Sequence, residues 1–321
     1  MRLSLLFIFY LLGLAVLYPL GVLGQVPQGF GELPIARSNL SASEQEQLGR
    51  AIRAKDYSAV RQTLVTAIAR QPKSHELWSM LGRIAFLTNH DQDALEAFQS
   101  GRKIAPLSQQ DRLTLAFALQ RNGDKTAARK ELGALMEEFP SNAEYPYWTG
   151  RLEYSLQRFR EALPLFGKAV KLNSGQTDPR LYLGLCLEAL GKPDEALTHY
   201  LAAATQTAAA PKRSSEPALY AGAVLEKLGR LKEAENWLRE AVRVPSAPAE
   251  YRLALVLEKV EKPDEALEHL RSATKLAPDY PEAWLALGRI LKRRNQPEEA
   301  EKAIATFQKL KSAKSTGQKL Q

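Results

Sequence analysis

Cys186 is the only cysteine in the chain and lies inside an apolar run, LYLGLCLEAL. A single thiol can form neither an internal disulfide nor a paired-cysteine metal site, so a packing role is expected before a nucleophilic one. The four histidines, His75, His90, His199 and His269, include no pair three or four residues apart, the spacing that points two imidazoles at one metal from a helix face. His75-Glu76 opens like a zinc-protease motif, but Ser79 stands where the second histidine belongs. His199 and His269 are expected to face solvent. No phosphate-cradling GxxxxGK and no dinucleotide-binding GxGxxG occurs. The sequence therefore calls for no catalytic residue, no metal and no cofactor, and the chain is expected to be non-catalytic.

Charge narrows the partner. Lysine and arginine number 44 against 36 acidic residues, giving a net charge of +8, with 45% hydrophobic and 25% charged residues in all. This composition is that of a folded globular chain, and a basic balance permits RNA or an anionic surface. No basic stripe recurs regularly, however. A central row reads Glu188, Glu226 and Glu258 beside Lys227 and Lys259, and only then Lys292 and Arg293. Nucleic acid is thus the less favoured ligand, and these charges are expected to be solvated.

What positions such residues is a repeated element. His75 to Ser108 reads HELWSMLGRIAFLTNHDQDALEAFQSGRKIAPLS. Trp78, Leu81, Gly82 and Ala85 share one helical face; Asn89 and His90 break the pattern; Ala94, Phe98 and Gly101 form a second stripe; Pro106 ends it. Stepping 34 residues from Leu81, Gly82, Ala94, Phe98 and Pro106 reaches Leu115, Ala116, Ala128, Leu132 and Pro140, then Gly150, Ala162 and Phe166, then Leu183, Gly184, Ala196 and Tyr200. After an insertion near 211–214 the pattern resumes at Gly222, Ala234 and Leu238, then Ala254, Ala266 and Leu270, then Trp284, Gly288, Ala300 and Ile304. A weaker first copy holds Leu48, Val60, Leu64 and Pro72. The string KPDEAL occurs at both 192–197 and 262–267.

These units resemble the tetratricopeptide repeat family, whose signature is W-x2-L-G-x2-Y, then A-x3-F, then P. The resemblance covers about 41–314 and implies an all-α, right-handed superhelical solenoid of about seven to eight helix–turn–helix repeats. The small residues are expected to let paired helices approach, the large ones to fill the gaps. The family's aromatic is replaced by Ala85, Leu119, Glu153, Leu187, Leu225, Leu257 and Leu291; beside Glu153, Tyr154 is available to take the packing role. The family also implies that partners are held on a concave face lined by the first helix of each pair. Groove candidates there are Arg83, Phe86, Phe117, Arg121, Tyr147, Arg151 and Tyr154, since aromatics beside arginines are the composition of binding hot spots. The Lys/Asn clamp that some relatives use for chaperone C-termini is absent: its positions hold Ser79/Arg83, Leu113/Phe117 and Tyr147/Arg151.

At the N-terminus, Arg2 precedes an apolar run from Leu3 to Tyr18, and Val22-Leu23-Gly24 offers small residues before Gln25. Residues 1–24 are read as a signal peptide or an N-terminal membrane anchor, membrane attachment through 3–23 being the competing case. Either places the repeats outside the cytosol, in the periplasm, secreted, or anchored with the repeats on the non-cytoplasmic side. Residues 25–40 are a Pro/Gly-punctuated linker, containing most of the sequon Asn39-Leu40-Ser41. The insertion is read as a lengthened second helix followed by a loop, or else as a hinge. The tail from Ser312, and 315–321 above all, is read as disordered. The expected function is that of an exported scaffold binding a protein or peptide for assembly or transport. Alternatives are an accessory subunit docked by its convex face and an RNA-binding helical repeat.

Overall fold

The structure, a computed structural model, describes residues 40–175, 177–209 and 214–315. The segments 1–24 and 25–39, the insertion residues 210–213 and the tail from 316 lie outside the described residues. Sixteen α-helices and no strand are present among those described.

The chain divides into two compact units, Met1–Gln157 and Arg158–Gln321. The first unit holds α1 (Ala42–Arg53), α2 (Tyr57–Arg70), α3 (His75–Leu87), α4 (Asp91–Arg102), α5 (Gln109–Arg121), α6 (Lys125–Glu138) and α7 (Glu144–Ser155). The second holds α8 (Phe159–Leu172), α9 (Asp178–Ala189), α10 (Pro193–Ala209), α11 (Glu216–Lys227), α12 (Leu231–Ala241), α13 (Ala247–Lys259), α14 (Pro263–Leu276), α15 (Pro281–Arg293) and α16 (Pro297–Ser315). Within each unit the helices pack as successive antiparallel pairs, the arrangement of an all-α repeat solenoid.

Local chemistry sets the boundaries. Ser41, Asp56, Ser74, Ser108, Asp124 and Ser246 each accept the backbone N–H of the third residue of the helix that follows. Ser41 and Glu44 form a reciprocal capping box, so the hydroxyl of the sequon is a helix cap. A left-handed residue, Lys55, Asn89, Gly123, Gln157, Gly191, Gly229, Glu261 or Asn295, follows the first helix of each repeat. In most copies the next amide bonds back five residues, as His90 N to Ala85 O at 2.8 Å and Lys192 N to Leu187 O at 2.9 Å. This hydrogen bond satisfies a carbonyl orphaned at the helix end.

Packing follows the small-to-large rule. A β-carbon built on Gly82 would lie 2.8 Å from the Phe98 ring, and one on Gly222 would lie 2.5 Å from Leu238 Cγ. Glycine is needed there because the helices of a pair meet through the residue sixteen positions on. Ala94, Ala128, Ala162, Ala196, Ala234 and Ala266 are all fully buried. Two boundaries bear on the sequence reading, one agreeing with it and one not. α10 is seventeen residues long, the lengthened helix read from the sequence. α16 continues to Ser315, so the polar stretch from Ser312 to Ser315 is helical rather than disordered: it carries good helix formers and no breaker.

Candidate functional site

In the first unit the first helices α3, α5 and α7 bring one aromatic each into a continuous row. The Phe86 and Phe117 rings stack with centroids 6.4 Å apart, and Phe117 meets Trp148 edge-on at 4.8 Å. Tyr147 tilts against Trp148 at 4.9 Å. Arginines lie over this row: Arg121 Cζ sits 3.8 Å above Phe86, and Arg151 Cζ lies 4.9 Å from Trp148 and 5.8 Å from Tyr147. A guanidinium over an aromatic face is held by the ring quadrupole, which also orients its remaining donors.

The groove candidates are not equally accessible. Phe86 is 2% exposed and Tyr147 is 8% exposed, so both are core residues and not surface contacts as the sequence reading has them. The reason is that neighbouring first helices pack on each other, which buries the inward aromatic of each. Arg83 donates from Nε to Asp111 at 2.6 Å; Asp111 is buried and also accepts from the Ser108 hydroxyl at 2.7 Å. Arg83 therefore serves to tie α3 to α5. Arg121 donates to the Phe86 carbonyl at 2.6 Å, to Asn89 Oδ1 at 3.0 Å and to Asp91, which fixes it across the preceding turn. Phe117, Trp148, Arg151 and Tyr154 remain half-buried and present surface. Trp148 is the member that the repeat period hides: Phe86, Phe117 and Trp148 are spaced by 31 residues, one helical turn short of the period, so the row climbs obliquely.

Glu153, the charged residue at a packing position, is 1% exposed and pairs with Arg129 Nε at 2.7 Å. A buried carboxylate is tolerated there because a cation from α6 meets it, and Tyr154 does not replace it.

In the second unit the central row is a ladder and not a set of solvated charges. Lys227 pairs with Glu188 of the preceding repeat, Lys259 Nζ with Glu226 at 2.7 Å, and Arg293 with Glu258. Glu188 is buried and also accepts the Tyr200 hydroxyl at 3.1 Å. Every rung runs from an acid on one first helix to a base on the next.

The remaining candidate chemistry is absorbed by packing. Cys186 is fully buried, and burial pushes its thiol up to about 12, which holds it protonated. His269 is partly buried with Nδ1 2.5 Å from Glu250, whose other oxygen accepts from Ser272 at 2.8 Å. His199 is also partly buried, and burial followed by the nearby Arg180 holds its imidazole below the usual range. Neither faces open solvent as expected; both sit on second helices at positions that lean toward a neighbour. Among the described residues no group of three or more His, Cys, Asp or Glu could hold a metal, and no helix is long and apolar enough to cross a membrane.

Paired helices, a left-handed turn in each pair and small residues at the crossing define a helical-repeat scaffold, and the comparisons name the class. Tetratricopeptide repeat profiles match residues 149–214 and 259–310, and the profile of the cytochrome c-type biogenesis protein H TPR domain matches 36–181. The chain belongs to the tetratricopeptide repeat family. Among solved structures, yeast Tom70 is 17% identical with a TM-score of 0.56 over 90% of this chain and 68% of its own. A tetratricopeptide repeat protein from Parabacteroides merdae is 16% identical with a TM-score of 0.56 over 83% of this chain and 98% of its own. These likenesses are of fold. No curated protein matches the chain.

Proposed function

We propose that this chain is an exported, non-catalytic scaffold that holds a polypeptide segment along the first-helix row of its N-terminal unit. The observation that carries this reading is the oblique row of Phe117 and Trp148 with Arg151 stacked above it. Half-buried aromatics next to an oriented guanidinium offer apolar contact area and directed hydrogen bonds at low conformational cost. Capture by such a surface needs no covalent step.

The process served is proposed to be biogenesis of c-type cytochromes. The support is the similarity of residues 36–181 to the cytochrome c-type biogenesis protein H TPR domain, a stretch that contains the whole aromatic row. Residues 1–24, as a signal peptide or anchor, would put the repeats on the non-cytoplasmic side. The buried, protonated Cys186 suits a holder more than a thiol catalyst.

The test uses Arg151→Glu with Tyr154→Ser, both positions being half-buried. A haem-free c-type cytochrome polypeptide is offered to the wild-type and variant chains, with thermal melting as a control for folding. The expected result is loss of capture at unchanged melting temperature. Equal capture by both chains removes this row from the function.

A further inference from the structure

The last two helix pairs contain a cleft that the first-helix row does not use. It lies between α14, α15 and α16, has a volume of about 370 Å³, and is floored by Thr274, Trp284, Leu287, Leu291 and Ala303. The polar atoms of the floor are already satisfied: Trp284 Nε1 donates to the Pro278 carbonyl at 2.8 Å, and Thr274 Oγ1 donates to the Leu270 carbonyl at 3.1 Å. What faces the cleft is therefore apolar. Its rim is Arg271, Lys275, Lys302 and Glu299, three cations against one acid. Arg271 pairs with Glu299 at 3.0 Å, whereas Lys275 and Lys302 are exposed and have no ion-pair partner among the described residues.

The molecule contains its own control. Trp78 makes the same bond, from Nε1 to the Pro72 carbonyl at 2.9 Å, and it lies 206 residues before Trp284. At that offset the rim residues Arg271, Lys275, Glu299 and Lys302 become Val65, Ala69, Asp93 and Glu96. The tryptophan anchor thus belongs to the repeat, but the positive rim does not: three cations and one acid at one copy stand against no cation and two acids at the other. A rim required by architecture would not reverse its sign between equivalent places.

We infer that the Trp284 cleft is a second docking site, which takes an acidic peptide segment of a partner protein with an apolar side chain seated among Trp284, Leu287 and Leu291. The volume suits one or two apolar side chains, and the lysines meet carboxylates on either side of them. The site lies in the other unit from the aromatic row, so each succeeds or fails on its own.

The experiment measures fluorescence anisotropy of the labelled peptide EDLEDFE against the full chain, with KKLKKFK as the charge-reversed probe. Saturable binding of the acidic probe is expected, weakened by added salt because exposed charges are screened. Lys275→Glu with Lys302→Glu should raise its Kd at least about tenfold, since reversing rim charges turns attraction into repulsion. Arg151→Glu with Tyr154→Ser should leave it unchanged. Equal binding of the two peptides, or of the acidic peptide to the lysine variant, overturns the proposal. So does failure to bind the peptide while vesicles containing phosphatidylglycerol retain the wild-type chain and release the lysine variant, because the rim would then serve a membrane surface.

Discussion

The Tyr200 ring occupies the space in which a side chain on Gly184 would stand: a β-carbon there would come within 2.4 Å of Cε1. Tyr200 is fully buried and its hydroxyl is held by Glu188, so the ring has nowhere to retreat. Gly184→Ala is expected to destabilise the chain by ~1–3 kcal/mol, the cost of overpacking a filled core. Gly133 is the counter-case: nothing lies within 4 Å of the β-carbon it would gain inside α6. There Gly→Ala should stabilise by ~0.5–1 kcal/mol through helix propensity. Urea denaturation of both variants checks the opposite signs.

The left-handed turn residues offer a second test. Glu261 has φ of 61° and Gly191 has φ of 76° at equivalent places. A side chain in that conformation costs roughly 1–2 kcal/mol, which glycine avoids, at the expense of greater freedom in the unfolded chain. Glu261→Gly should therefore raise the urea midpoint modestly, and Gly191→Ala should lower it. A fall in midpoint for Glu261→Gly would mean that the turn is held by contacts of the glutamate rather than by backbone preference.

The buried end of the charge ladder should cost more to remove than its exposed end. Glu188 is 7% exposed in its side chain and Lys227 is 44% exposed. Truncating Lys227 to Ala removes a screened pair contact of ~0.5–1 kcal/mol. Glu188→Ala also leaves the Tyr200 hydroxyl without its acceptor, for a further ~1–3 kcal/mol. A double-mutant cycle should report coupling between the two residues, and additive effects would show that the rung contributes nothing.

His199 predicts a pH dependence. Its folded imidazole titrates below the ordinary value, through burial and then Arg180. Below an unfolded pKa of about 6.5 the unfolded chain takes a proton that the folded chain does not, so stability falls as pH drops through that value. The loss levels off once the folded group is protonated as well. His199→Gln should flatten the stability profile in this window, measured by urea midpoints from pH 7.5 to 5.0. An unaltered slope would assign the dependence to other groups.

Much of this structure could be read from one sequence because a single period governs it. Gly82 with Phe98 and Gly222 with Leu238 recur sixteen residues apart inside each unit, and the contact they make is local enough for spacing to reveal. The binding row was only half legible. Phe86 and Tyr147 have the composition of contact residues, but exposure depends on how tightly adjacent first helices pack, which composition does not encode. Trp148 escaped because contact between neighbouring helices follows an oblique 31-residue step, so stepping by the repeat length passes over it. The charges of the second unit looked solvated for a similar reason: the partner of each acid is on another repeat, some 33 to 39 residues away.

That directional pairing also bears on how such a chain can change length. If the helix pair containing Glu226 and Lys227 were excised and the ends rejoined in phase, Glu188 would meet Lys259, a base of the same kind in the same place. Duplication would likewise add one new acid together with one new base. Clipping the final pair would instead strand a charge, because Glu258 would lose Arg293 and find no successor. The middle of this unit is built of interchangeable parts, and at its terminus trimming leaves an electrostatic scar.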